Sequence, residues 1–511
     1  MESSLTISNP TSKTEHDMIY SQYLYSYSQV TKSEKKLIVT PKTINYTFKT
    51  NTKVPKLGVM LVGLGGNNGT TFTGGIIANR DKVTWMTKKG ENHANFFGSI
   101  TQCSTTKIGV CGTEEIYVPF KDILPLVNPS DIVISGWDIS KMNLADGMKR
   151  AEVFDYNLQE KLNSEMKKIV PYPGIYYPDF IAKNQKDRAD NILPGENKGE
   201  HLKILRGHIK EFKALNKLDK VIVFWTANTE RCSDIMKGIN DTAENLLKAI
   251  EKSEKEISSS SMYAVAAILE GCSFINASPQ NTLVPGIVEL AEKHKVFICG
   301  DDMKTGQTKF KTAFTEFLVS AGIKPVSIVS YNHLGNNDGK NLSEYAQFHS
   351  KETSKASCVD DILASNRILF PKEPKIDHVV VIKYVPSSGD TKKALDEYAS
   401  EIMMGGQHFL SVYNVCEDSL LAAPIMLDLM LLTEIFERIE WKTEGMKEFE
   451  RFPNVLTNLG YLFKAPFTPK DVPLVNSLSR QKQGLENIMK ICAGITLDNN
   501  TLLEFKCKPK T

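Results

Sequence analysis

The stretch "VMLVGLGGNNGTTFTGG", Val59–Gly75, is where the fold is decided. An apolar, partly β-branched run breaks off into glycines and asparagines, and small and hydroxyl residues suited to opening a helix follow. The pattern reads as strand, tight turn, helix. In a dinucleotide fold such a turn needs glycine to bend sharply and to let backbone N–H groups approach a pyrophosphate at the positive end of the helix. The spacing is not the usual one. Gly63, Gly65 and Gly66 are present, but the third position of G-x-G-x-x-G is Asn68, with Gly69 one residue later. The acidic residue expected about 20 positions on is not evident, because Glu91 lies in the polar "KKGENHANF" with no strand read before it. On this stretch alone two readings stay open, an NAD-binding turn and a structural bend.

Composition narrows the class. A chain of 511 residues with 41% hydrophobic side chains can bury a large core and is expected to form two or more domains of a soluble globular protein. The 62 Lys+Arg against 60 Asp+Glu leave no global field for nucleic acid or an anionic membrane, so any anion is recognised locally. Nine cysteines without a C-x-x-C pair or zinc-like Cys/His spacing argue against a disulfide framework or a structural metal and for a reducing, cytoplasmic setting. The polar "MESSLTISNPTSKTEHD" start has no signal-peptide core. The most apolar run, Leu420–Phe436, carries Asp428 and is short for a span. It is expected to be a buried helix.

Strand-like runs alternate with helical ones, which predicts an α/β domain with a mainly parallel sheet. The strand candidates are "KLGVMLVG", "DIVISGWDI" (131–139), "KVIVFWTAN" (220–228), "YAVAAILE" (263–270), "KVFICGDD" (295–302), "VSIVSYN" (326–332) and "DHVVVIKYV" (377–385). "HLKILRGHIKEFKALNKLDK" and "TAENLLKAIEKSEKEI" read as helices with solvated charges, and "ISSSS" (257–261) as the one low-complexity linker. Polar residues collect at strand ends: Trp137 and Asp138 after "VISG", and Thr226, Ala227, Asn228 and Thr229 after "VFW". Ligands of open α/β sheets lie beyond the carboxyl ends of strands, so Asp138 is a candidate acceptor for a ribose hydroxyl. The alternative for each is an ordinary turn or helix-cap residue. "CGDDMKTGQTKFK" (299–311) is not a Walker A loop, because Lys304 and Thr305 precede Gly306. It offers instead Thr305, Gly306, Gln307 and Thr308 as a phosphate cradle at a helix start. "SYNHLGNNDGKNLS" (330–343) is an amide-rich loop too long to be a simple turn.

The segments "GLGGNNG", "FGSITQCST", "SGWDIS", "FIAKNQKDRADN", "WTANTER", "INASPQNTLVPG", "GDDMKTGQTK", "SYNHLGNNDGKNLS", "VIKYVPSSGDTKKALDEY" and "CEDSLLAAPIMLDL" together resemble the eukaryotic myo-inositol-1-phosphate synthases, in order from about Val54 to about Gly494. The resemblance implies an isomerase that converts D-glucose 6-phosphate to 1D-myo-inositol 3-phosphate with NAD as cofactor. Oxidation at C5 makes the C6 proton acidic, the resulting enolate attacks the C1 aldehyde, and the ketone is reduced again. Each step makes or removes charge on oxygen, which suits buried lysines whose pKa values are tuned by burial and neighbouring charges.

Carried over by motif, the resemblance implies Lys351 and Lys392 as principal acid/base and oxyanion groups, with Asp302, Asn332, Asp338 and Asp390 orienting them. Thr305, Gly306, Gln307, Thr308, Leu334, Asn336 and Lys355 would hold the phosphate. NAD would meet Gly65, Gly66, Asn67, Asn68, Asp138, Gln185, Arg188, Thr226, Ala227, Asn228, Thr229 and Ser278. It would also meet Asp302, Thr305, Asn336, Asn337, Asp338, Gly389, Asp390, Asp418 and Ser419. No residue is assigned to a metal. Position 305 is Thr where relatives often have Ser, and the family's late active-site lysine is matched to Arg480 in "SLSRQKQGLEN". Arginine does not readily deprotonate, so Arg480 is assigned charge stabilisation, with Lys482 the second candidate. The implied architecture is α/β: an N-terminal extension (1–50), a Rossmann-type NAD-binding domain (51–275), an inserted α+β catalytic and tetramerisation domain (276–420), and a segment returning to the first domain (421–511). A homotetramer is expected from the resemblance. Two rival readings are a dehydrogenase of a phosphorylated sugar, which would accumulate NADH, and a non-enzymatic NAD-binding protein, which would leave the sugar unchanged.

Overall fold

The computed structural model describes residues 5–34 and 36–507. Its centre is a six-stranded sheet in the order Tyr172–Pro173, Val133–Asp138, Leu57–Val62, Lys220–Trp225, Ser273–Asn276, Ile298–Cys299, with every neighbouring pair parallel. In chain order this is 3-2-1-4-5-6, the doubly wound arrangement of dinucleotide folds. Leu57–Val62 is buried throughout, as a central parallel strand covered on both faces must be. Val59 and Leu61 point into a core shared with the helices Asn67–Arg80 and Asp418–Phe436. Met60 and Val62 point into a second core with the helices Lys198–Leu215 and Ser259–Leu269.

Three sequence expectations change here. "YAVAAILE" is helix, its first seven residues lying within Ser259–Leu269 and Glu270 forming the C-cap. The helix is apolar all round and almost wholly buried, so its pattern does not distinguish it from a buried strand. The strand of that region is the shorter Ser273–Asn276. "ISSSS" is not a linker either: Ser258 caps this helix by accepting from Ser261 N–H, and Ser259, Ser260 and Ser261 are its buried first turn. The edge strand is also shorter than "KVFICGDD" suggests, being only Ile298–Cys299.

Glu91 does have a strand before it, the Thr84–Thr87 arm of a hairpin with Gly90–His93, but it is exposed. A second hairpin, Thr105–Cys111 with Glu114–Pro119, follows. Both are inserted between the first helix and the second strand of the parallel sheet. The acidic residue ending that strand is therefore Asp138, far beyond the usual spacing.

Asp418–Phe436 is long and apolar enough to cross a membrane by composition, yet most of it is buried in the protein. Its two fully buried acids are satisfied within the fold. Asp428 accepts from the Ser99 and Thr101 hydroxyls, both at 2.6 Å, and from the Ile100 and Thr101 N–H groups. Glu434 pairs with Arg438. These bonds mark a core helix, as expected from the sequence.

A second sheet has the order Asp377–Tyr384, Lys324–Leu334, Thr391–Glu401, Gln407–Glu417. Its first pair is parallel and the others antiparallel. Alternation along Thr391–Glu401 puts Lys392, Ala394, Asp396, Tyr398 and Ser400 on the buried face. The chain then returns. Ile439–Thr443 pairs with the 16-residue strand Lys36–Asn51, whose other neighbour is Met18–Ser33. Further on, Asn454–Phe467 runs beside Ile298–Met303: Ile298 N–H donates to Asn454 O, Lys464 N–H to Asp302 O, and Phe467 N–H to Gly300 O, each at 2.8 Å.

Candidate active site

The two sheets and the returning segment meet at one cleft, which spans about 1240 Å³ including its open mouth. The nucleotide end starts at the turn. Gly63 has φ +90°, and a Cβ there would lie 2.7 Å from Ala227 Cα. At Gly69 a Cβ would fall 2.3 Å from Leu64 O. Gly69 thus does the close-packing work of the displaced third glycine. The Asn67–Arg80 helix begins at Gly66 with no side-chain cap and no acidic residue in its first turn, leaving N–H groups for an anion.

Asp138, 5% exposed, accepts from the N–H groups of Gly65 and Ser140, both at 2.9 Å, and lies 3.6 Å from Arg188. Asn68 donates to Thr226, and Asn337 donates to both Gln185 and Asn228. The Asn228 Nδ2 and Trp225 Nε1 donors, on residues that line the cleft, have no partner among the described residues. An uncapped helix start, a carboxylate at the ribose position and unsatisfied donors together fit NAD. Ser278 lines the same wall, bonded to Ala227 O.

The catalytic end is a cluster of alternating charges. Lys351 Nζ is 3.1 Å from Asp338 and 3.9 Å from Asp302. Lys392 Nζ is 3.2 Å from Asp418 Oδ1. Lys464 Nζ donates to Asp302 Oδ2. All six residues line the cleft. Burial disfavours the Lys351 ammonium, but the Asp302, Asp338 and Asp418 carboxylates outweigh it and hold its pKa above the usual lysine value. Lys464 goes the other way: burial, reinforced by Lys351 and Lys392, outweighs Asp302 and pulls its pKa down. The cluster therefore holds one lysine whose ammonium form is favoured, Lys351, and one whose ammonium form is disfavoured, Lys464. Asp302 and Asp418 stay below the usual carboxylate range, because the lysines overcome burial.

Beside this cluster the Gly306–Ser320 helix begins at Thr305, which lines the cleft, again with no side-chain cap and no first-turn acid. Lys355, 3% exposed, donates to Gln307 Oε1 at 3.3 Å and Asn332 Oδ1 at 3.1 Å. Burial and the cations Lys392, Lys464, Lys311 and Lys351 push its pKa well down. A buried ammonium among other cations favours an anion nearby, and the uncapped helix start is a place for one.

Some predicted residues are supports that do not line the cleft. Asp390 accepts from Asn67 Nδ2 and from the Ser419 N–H and hydroxyl, tying the nucleotide helix to the second sheet. Gly389 precedes it at φ +55°, in a turn. Asn336, which does line the cleft, caps the short Asn337–Asn341 helix. The Leu334 side chain packs with Leu342, Val380 and Ile382, so only its backbone is left to serve the cradle.

Arg480 needs correction. It is exposed on the Leu478–Ala493 helix and does not line the cleft, and Lys482 pairs with Glu486 at 2.7 Å. The residue between them, Gln481, is the one that turns inward, accepting from the buried Lys304 at 3.0 Å. The late cation of the site is Lys464, which the sequence reading passed over. A single lysine inside the apolar "GYLFKAPF" was the available signal, since an unpaired lysine seldom sits in such a run.

A family profile described as myo-inositol-1-phosphate synthase, with an NAD-binding domain, matches residues 57–490. The chain belongs to the myo-inositol-1-phosphate synthase family. It is 55% identical to inositol-3-phosphate synthase 1 of Populus euphratica, over 98% of this chain and 99% of that one. It is 56% identical to inositol-3-phosphate synthase 1-B of Xenopus laevis, over 96% of this chain and 87% of that one. The crystal structure of inositol-3-phosphate synthase from Caenorhabditis elegans superimposes with a TM-score of 0.98 at 51% identity, covering all of both chains. A synthase-related protein from Thermotoga maritima, at 19% identity and a TM-score of 0.61, shares the fold. The matching family profile is an NAD-binding one, which makes NAD the cofactor of this chain.

Proposed function

We propose that the chain is an inositol-3-phosphate synthase, an isomerase that turns D-glucose 6-phosphate into 1D-myo-inositol 3-phosphate. The observation that carries this is the cluster of Lys351, Lys392 and Lys464 with Asp302, Asp338 and Asp418 in the same cleft as the dinucleotide turn. A simple dehydrogenase needs one proton acceptor. Three lysines in one cleft, Lys392 and Lys464 of them buried, suit a reaction that moves several protons and stabilises more than one oxyanion.

NAD, bound against Gly65, Gly66, Asn67, Asn68 and Asp138, supplies the hydride acceptor and donor. The start of the Gly306–Ser320 helix and Lys355 hold the phosphate and so place the sugar. Lys464, whose pKa is lowered, takes a proton from carbon or hydroxyl. Lys351, held in its ammonium form, faces the oxygen on which charge develops, and Lys392 with Asp418 serves a second one. Incubation with glucose 6-phosphate and a catalytic amount of NAD tests the reading: inositol phosphate should form in many-fold excess over NAD, and none should form if the reading is wrong.

A homotetramer is part of the proposal. It is supported by apolar side chains on the outer face of the second sheet, among them Phe409, Tyr413 and Val415, all exposed in the single chain. A cytoplasmic location, feeding inositol and phospholipid synthesis, is proposed on the neutral charge balance and the cysteine usage.

A further inference from the structure

Behind the phosphate end runs a polar chain that the cleft does not reach. Asp396, on the buried face of Thr391–Glu401, is 2% exposed and does not line the cleft. Its Oδ1 accepts from Gln307 Nε2 at 2.7 Å and its Oδ2 from the Tyr398 hydroxyl at 3.3 Å. Gln307, itself 5% exposed, uses its other end toward Lys355, whose Nζ donates to Gln307 Oε1. The second partner of Lys355 is built alike. Asn332 offers Oδ1 to the ammonium while its Nδ2 donates to Val381 O at 3.3 Å.

A carboxamide is nearly symmetric in shape, so its orientation is decided by what each end meets. A carboxylate only accepts, and Asp396 therefore selects the Gln307 NH2 and turns the carbonyl oxygen toward Lys355. The reverse orientation would set donor against donor at Lys355 and acceptor against acceptor at Asp396, with both groups shut away from water. We propose that Asp396 is a positioning residue for the substrate phosphate, fixing the Gln307 amide so that Lys355 Nζ is held beside the first turn of the Gly306–Ser320 helix. The proposal rests on the reading of that turn and Lys355 as the phosphate site.

The test is steady-state kinetics with glucose 6-phosphate, alongside NAD binding by calorimetry, on D396A, D396N, Q307M and D396A/Q307M. D396A should raise KM about 10-fold or more, the scale of one hydrogen bond to a charged group, with kcat within about 3-fold and NAD affinity unchanged. D396N, whose amide oxygen still accepts from Gln307, should stay near the wild type. The double variant should be no worse than Q307M, because both act through one amide. Multiplying effects in the double variant, a D396N as damaging as D396A, or an unchanged KM in D396A would overturn the inference. If D396A does not fold, Q307E and Q307E/D396N carry the test. Q307E sets its own carboxylate against that of Asp396 and should raise KM, adding D396N should restore it, and no restoration overturns the idea. A wild-type protein inert toward glucose 6-phosphate would defeat the synthase reading and this inference together, whereas an active wild type with insensitive Asp396 variants defeats this inference alone.

Discussion

Lys464 and Asp302 are joined twice across 162 residues of sequence: the lysine side chain donates to the carboxylate, and its backbone N–H donates to the Asp302 carbonyl at 2.8 Å. The second bond belongs to the ladder that lays Asn454–Phe467 along Ile298–Met303. The backbone thus fixes where the ammonium is delivered, and the carboxylate fixes where it points.

The first prediction follows from that placement. Lys464→Ala, like Lys351→Ala and Lys392→Ala, should lower kcat by about 100-fold or more, the usual scale for a general acid/base or oxyanion group. Arg480→Ala should stay within about 3-fold of wild type, since the exposed side chain meets no reacting atom. Measured turnover of correctly folded variants decides between the two cations. A dead Arg480→Ala beside an active Lys464→Ala would reverse the assignment.

The pH dependence has a defined sign. A lysine that must lose its proton to act gives a rate that climbs with pH through its pKa, and burial with neighbouring cations has moved that pKa of Lys464 below the free value of 10.5. Asp302 opposes the shift by favouring the ammonium. Asp302→Asn should therefore move the ascending limb of kcat/KM to lower pH while reducing the plateau. A limb that moves to higher pH would show that Lys464 is not the group titrating.

Much of this site can be read from the sequence, and the reasons for the exceptions are physical. Strand ends are where side chains leave the sheet for a ligand, so Asp138, Thr226 and Asn228 stood out once their strands were seen. The Ser259–Leu269 helix did not, because a helix buried on every side has lost the polar face that gives its period. Lys464 offered only the signal of a lone lysine in an apolar run: its meaning comes from Asp302 and Lys351, distant in the chain, and sequence spacing carries no trace of a contact made by a returning segment. Arg480 was chosen by position within a motif. The inward-facing member of that motif is Gln481.

The turn makes a prediction with its own control. Gly69→Ala should weaken NAD binding and lower Tm, because its Cβ would sit 2.3 Å from the Leu64 carbonyl oxygen. Gly75→Ala in the same helix has no heavy atom within 4 Å of the added carbon. It should leave NAD binding intact and raise stability slightly, by roughly 0.5–1 kcal/mol. Calorimetric titration with NAD and thermal melts check both. Equal behaviour of the two variants would mean that close packing at Gly69 does not shape the turn.

The central claim is a redox-neutral cyclisation in which hydride leaves C5 and returns to it within one cleft. Glucose 6-phosphate deuterated at C5 is the direct probe, read by mass spectrometry of the product with absorbance at 340 nm followed in parallel. The account predicts inositol phosphate that keeps the label at the matching carbon, loses one C6 hydrogen to solvent, and forms without net NADH. Loss of the C5 label to solvent, or NADH accumulating in step with substrate consumed, would contradict it.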